Sequence, residues 1–172
     1  MIIAGDSYCS HNSEGSWISL LKAETITLGR PGHSNCDILQ RLKSYDPQRA
    51  IINFTHPKRL PYTLTRGVEG MKDGALARHQ KAERLNLEVA KQIVKTWTDA
   101  FIWSPFPHYE NFEGVHYIPL YKENEMYESG EFNLSNDPKY PFNHLTLKGN
   151  QELADIINST YLKFFASASR LS

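Results

Sequence analysis

The stretch Met1-Ile-Ile-Ala-Gly-Asp-Ser7 passes from apolar residues into a Gly-Asp-Ser turn within seven positions. An apolar run this short, bounded by Gly and Asp, reads as a strand buried on both faces, as in a parallel sheet. Its abrupt end sets a serine just beyond the strand's carboxyl end, where open parallel sheets bind their ligands.

Working outward, the same pattern repeats. Trp17, Ile18, Leu20 and Leu21 predict a first helix after a polar loop, Cys9 to Gly15. Thr25-Ile-Thr-Leu28 is β-branched and strand-like; the breaker run Gly29-Arg-Pro-Gly-His-Ser-Asn35 follows, and Ile38, Leu39 and Leu42 resume at helical spacing. Ala50-Ile-Ile-Asn-Phe54 predicts a third strand, followed by a long irregular segment from Thr55 to about Ala77. Ala82, Leu85, Val89, Ile93 and Trp97 step by three or four and predict an amphipathic helix between His79 and Trp97. Ala100-Phe-Ile-Trp103 and Val115-His-Tyr-Ile118 read as two more strands. After a second irregular region, Pro119 to Pro141, a last helix is expected from Thr146 to Phe165, with Leu153, Ile156, Ile157, Thr160, Tyr161 and Phe164 on one side. Strands alternating with helices imply βαβ units. The expected fold is α/β: a three-layer α/β/α sandwich around a mostly parallel five-stranded sheet, formed by residues 1–172 as one domain.

The chain's 172 residues suffice for a substantial core. Its 19 basic and 19 acidic residues balance, so no global field favours nucleic acid or an anionic membrane. No stretch approaches the roughly 20 apolar residues of a membrane span, and no basic-then-apolar leader opens the chain. A soluble cytoplasmic protein is expected. Cys9 and Cys36 lie in no CxxC pattern; reduced thiols are the expectation and a bridge between them the alternative. His11, His33, His79, His108 and His116 show no metal-ligand spacing, so neither metal nor cofactor is implied.

Four interruptions fall beyond the expected strand ends: Gly5-Asp-Ser7, Gly29 to Asn35, Thr55-His-Pro-Lys-Arg59 and, before the last helix, Pro141-Phe-Asn-His144. In this order they resemble the blocks of the SGNH (GDSL-like) hydrolases over nearly the whole chain. The resemblance implies Ser7 as nucleophile, His144 as general base, and backbone N–H groups of Ser7 and Gly32 as oxyanion donors. A serine hydroxyl needs such a base near neutral pH, and negative charge developing on the carbonyl oxygen needs fixed donors. Ser7 would attack an ester, an O-acetyl or short-acyl ester on a carbohydrate being the expected substrate.

Two departures matter. The family's Gly-x-Asn-Asp block is absent from Ile51-Ile-Asn-Phe-Thr-His-Pro57, and alignment by strand end sets His56 in the Asn place, with Asn53 as a weaker substitute. Pro141 stands where the family carries the Asp that orients the histidine, which leaves Asp137, a backbone carbonyl or nothing, and points to a Ser-His dyad. Asn35 and Arg59 are further candidates for substrate contact, against the plainer roles of helix cap and solvated charge. Asp6 reads as a brace of the turn. Trp103, Phe106, His108, Tyr109, Tyr62 and Tyr127 are aromatics that could stack on a sugar or line an acyl pocket. Two rivals remain: a non-catalytic module with a decayed site, and a flavodoxin-like nucleotide binder, the latter weakened because no Gly-rich phosphate loop follows the first strand.

Overall fold

The computed structural model describes residues 1–9, 15–45, 47, 49–61, 75–118, 145 and 147–162, without the side chains of residues 7 and 75–77. The chain begins with strand β1 (Ile2–Ala4), a tight 3-10 turn (Ser7–Cys9), strand β2 (Ile26–Thr27) and helix α1 (Asn35–Tyr45). Strand β3 (Ala50–Asn53), helix α2 (Ala75–Thr96) and strand β4 (Phe101–Ser104) follow. A second 3-10 turn (Pro107–Tyr109), strand β5 (His116–Tyr117) and helix α3 (Leu147–Ile157) come next; a wide π-type turn, Asn158–Leu162, extends α3.

All five strands pair in parallel in the order β2-β1-β3-β4-β5. The fold is α/β, as the alternating pattern predicts. Strand alternation divides the core in two. Ile3, Ile51, Phe101 and Trp103 face Trp17, Ile18 and α3 residues Leu153, Ala154 and Ile157. Ala4, Ile52, Phe54 and Ile102 face Ile38 and Leu42 of α1, Ala90 and Ile93 of α2, and Trp97 just beyond it. Each fully buried large apolar side chain contributes about 1.5–3 kcal/mol, so both layers are needed.

Three expectations need correction. Residues 15–23 form turns rather than a regular first helix. The Ser16 hydroxyl oxygen accepts the Ser19 N–H (3.3 Å) and Ser19 Oγ donates to the Ser16 carbonyl (2.8 Å), a local pairing that competes with helix propagation. Side chains following β5 satisfy three further backbone groups: Asn150 accepts the Trp17 N–H, while Asn158 accepts the Lys22 N–H and donates to the Leu20 carbonyl. On α2 the buried stripe is Ala82, Asn86, Ala90 and Ile93, continued by Trp97 just past its end, while Leu85 is 41% exposed. On the last helix Thr160 is exposed, and Phe164 lies outside the described residues. The two cysteines are free thiols. Among the described residues no helix is long and apolar enough to cross a membrane.

Sequence order reverses between β1 and β3, the switch point at which doubly wound sheets open a crevice. Glycines let the chain close in there. A Cβ on Gly29 would lie 2.2 Å from the Cys9 carbonyl oxygen. Gly32 instead has φ +82° and, among the described residues, no heavy atom within 4 Å of a Cβ position. Gly32→Ala is therefore expected to lose only about 1–2 kcal/mol, from left-handed backbone strain. Gly29→Ala loses more, at or beyond the upper end of the ~1–3 kcal/mol of overpacking. Urea unfolding of the two variants checks the order.

Candidate active site

The Gly-Asp-Ser turn is built around Asp6, which is 1% exposed. One carboxylate oxygen accepts the Tyr8 N–H (3.0 Å). The other accepts the Thr55 hydroxyl (2.9 Å) and faces an Arg59 guanidinium nitrogen at 3.7 Å. Burying a carboxylate is tolerable only with such partners. Asp6 thus joins the end of β1 to the loop after β3, and Ser7 begins the 3-10 turn directly after it. Gly5 has no room for a side chain, since a Cβ would meet Cys9 Sγ at 2.6 Å and Asn53 Cβ at 2.9 Å. Burial, with Asp6 adding to it, pushes the Cys9 thiol well above its usual range, which leaves it a packing group rather than a nucleophile.

The breaker run after β2 returns to this turn. The Arg30 N–H donates to the Gly5 carbonyl (3.3 Å), and the chain then turns through Gly32 into α1. Ser34 caps that helix: its hydroxyl and N–H donate to Asp37 Oδ2 at 2.6 and 2.8 Å, and its Oγ accepts the Asp37 N–H at 3.4 Å, a reciprocal capping arrangement.

Asn35 does not occupy the substrate position expected of it. It is fully buried and accepts the Thr55 N–H (3.1 Å), while its amide nitrogen donates to the Tyr109 hydroxyl (2.8 Å) and the Asn86 carbonyl (3.2 Å). The Tyr109 hydroxyl donates onward to the Thr55 carbonyl (3.2 Å). Asn86, from α2, donates to the carbonyls of Pro57 (2.8 Å) and Arg59 (2.7 Å). Asn35 is thereby a brace inside the molecule, with no exposed surface to offer a ligand. Arg59 is partly exposed, but it aims at Asp6. Of the aromatics expected to meet a sugar, Trp103 and Tyr109 are fully buried and Phe106 nearly so, which makes them core; Tyr62 and Tyr127 lie outside the described residues.

His56 is half-buried, its ring edge-on to Phe106 (5.1 Å) and His108 (5.0 Å). The Lys58 N–H donates to His56 Nδ1 (3.2 Å). The neutral ring therefore carries its proton on Nε2, a hydrogen-bond donor. Burial, then the neighbouring His108, Lys58 and Arg59, holds this imidazole below its ordinary range, and protonating Nδ1 would break the bond from Lys58. Nearby, His108 Nε2 and Lys58 Nζ lie 3.8 and 3.9 Å from Glu83. Among the described residues no group of three or more His, Cys, Asp or Glu is arranged to hold a metal ion. The Ser7 side chain, Asp137, Pro141 and His144 fall outside the described residues.

Thr55, Asn86 and Tyr109 hold the site floor together; of these the sequence singles out only Tyr109, and as a sugar-facing aromatic rather than a brace. The one signal available was Asn86 itself, a polar residue four places from Ala82 and Ala90 on a helical stripe.

No family model matches the chain, and no curated protein matches it. Among solved structures it is similar to an acetyl xylan esterase, AlAXEase, with a TM-score of 0.50 and 17% identity, covering 92% of this chain and 97% of that one. At this identity the likeness speaks to the fold.

Asn86→Ala would orphan two carbonyls, and a loss of about 2–4 kcal/mol in urea unfolding is expected, without the gross misfolding of a core deletion. His33, His56 and His116 all lie below their ordinary value, burial being the first cause in each. The unfolded chain then binds protons more readily, so the stability these imidazoles contribute above the ordinary histidine value is lost as pH falls through it. The urea midpoint is expected to drop between pH 7.5 and 5.5, and to drop less in His56→Gln.

Proposed function

We propose that the chain is a serine hydrolase of the SGNH kind, cleaving an O-acetyl or other short-acyl ester on a carbohydrate. The observation that carries the reading is the Gly-Asp-Ser turn, braced by Asp6 against Thr55 and Arg59, at the switch point between β1 and β3. Nucleophiles on sharp turns at the carboxyl edge of a parallel sheet are exposed to substrate while their backbone stays fixed.

In this mechanism Ser7 Oγ attacks the ester carbonyl as His144 takes its proton. The N–H groups of Ser7 and Gly32 and the Nε2–H of His56 receive the developing oxyanion. Collapse of the tetrahedral intermediate expels the alcohol, protonated by His144, and leaves an acyl-serine. Water, deprotonated by the same imidazole, then releases the acid. Asp137 is the candidate for orienting His144 in place of the absent Asp at Pro141. Support for the His56 role comes from its fixed tautomer, and support for an ester substrate from the fold shared with an acetyl xylan esterase.

Pro141 also motivates the competing reading, a non-catalytic binding module with a decayed site. Hydrolysis of p-nitrophenyl acetate separates the two. Ser7→Ala and His144→Ala are each expected to lower kcat/KM about 10³-fold or more, and His56→Ala to lower kcat about 10²-fold. Equal rates for wild type and Ser7→Ala would select the binding module.

A further inference from the structure

Beside the Gly-Asp-Ser turn lies a group of cations that the proposed chemistry does not use. Arg30, exposed, is tied through its backbone N–H to the Gly5 carbonyl. Arg41, from the second half of α1, reaches back to donate to the Leu28 carbonyl at 3.1 Å. Among the described residues, neither guanidinium has a carboxylate within ion-pair distance, whereas Arg59 and Lys58 are paired with Asp6 and Glu83. His33 lies within reach of both charges, and its Nδ1 is buried with no hydrogen-bond partner among the described residues. Asp37, the carboxylate that acts on both Arg41 and His33, accepts both donors of Ser34.

These charges act on one another. Burial and then Arg30 hold the Arg41 guanidinium below its ordinary value, with Tyr45 and Asp37 opposing. Burial and then Arg41 do the same to His33, with Arg30 and Arg59 adding to it and Asp37 opposing. Two like charges left without a counterion cost stability. Guanidinium groups match a carboxylate in planar, two-point fashion. Alongside, no described residue comes within 4 Å of a Cβ position at Gly32, which leaves that side of the loop uncovered by them.

We infer that Arg30, Arg41 and His33 form an anion subsite at the rim of the site, so that the ester this chain cleaves carries a carboxylate, on its acyl or its alcohol part. The inference rests on the hydrolase reading for the ester, and for the carboxylate on two guanidinium groups that no described carboxylate pairs with.

The purified chain is assayed with two matched pairs, each rate divided by its uncatalysed background. Mono-p-nitrophenyl succinate against p-nitrophenyl butyrate reports acyl-side charge; 4-acetoxybenzoate against its methyl ester reports alcohol-side charge. In one pair kcat/KM is expected to favour the anion about tenfold or more, a preference that shrinks with added salt. The preference should fall towards unity in Arg30→Gln, and fall in Arg41→Lys, which keeps charge but loses the fork. Ratios near one in both pairs, with Ser7→Ala inactive, would overturn the subsite and leave the hydrolase standing. Should Ser7→Ala match wild type, the hydrolase reading fails, and calorimetric titration with uncleavable succinamate against butyramide decides. Saturable, salt-sensitive succinamate binding that Arg30→Gln weakens supports the subsite; equal or absent binding of the two overturns it.

Discussion

The buried carboxylate of Asp6 is the constraint around which the upper edge of the sheet is organised. A charge with almost no contact with water must be met by donors, and these come from two sides of the switch point: its own turn supplies the Tyr8 N–H, and the segment after β3 supplies the Thr55 hydroxyl and the Arg59 guanidinium. Parallel strands are joined laterally by backbone bonds, which say nothing about the loops beyond them. Asp6 makes the loop after β3 a fixed distance from the turn that carries Ser7.

That demand propagates. Holding Arg59 and Thr55 in place requires the loop backbone to be satisfied, and Asn86 on α2 takes two of its carbonyls while Asn35 on α1 takes the Thr55 N–H. Tyr109, after β4, closes the circuit by bonding both Asn35 and the Thr55 carbonyl. The floor of the candidate site is therefore a polar network sealed between the sheet and two helices, in which each member depends on the others being paired. On the α3 face the pattern breaks: both amide atoms of Asn53 and the indole N–H of Trp103, adjacent in register, are buried without hydrogen-bond partners among the described residues. Such orphaned groups are rare in native interiors and concentrate where structure serves something other than stability.

Much of this was legible in the sequence. Ile2-Ile3-Ala4, Ala50 to Asn53 and Phe101 to Trp103 announce strands because short apolar runs ending in Gly, Thr or Pro have no room for a helical stripe. Asp6 as a brace was legible too, since Asp in a turn bonds its own backbone. Asn35 was misread because an Asn before a helical stripe is ambiguous between cap, ligand contact and internal brace, and the partners that decide it lie 20, 51 and 74 positions away. Hydropathy places Leu85 in the core ahead of Asn86, but two carbonyls needing a donor rank asparagine higher. The residues at 15–23 have helical spacing yet form turns, since their backbone groups are satisfied by asparagines that arrive with α3.

The amino-acid order by itself determined that strands and helices would alternate, that a serine would follow the first strand on a tight turn, and that histidines would stand after the third strand and before the last helix. It could do so because periodicity and turn chemistry are local. Only the tertiary structure decided which polar residues became the floor of the site, which tautomer His56 adopts, and which cations among the described residues pair with a carboxylate. Hydrogen bonds and Coulomb interactions join residues by distance in space, and the folded sheet alone sets those distances.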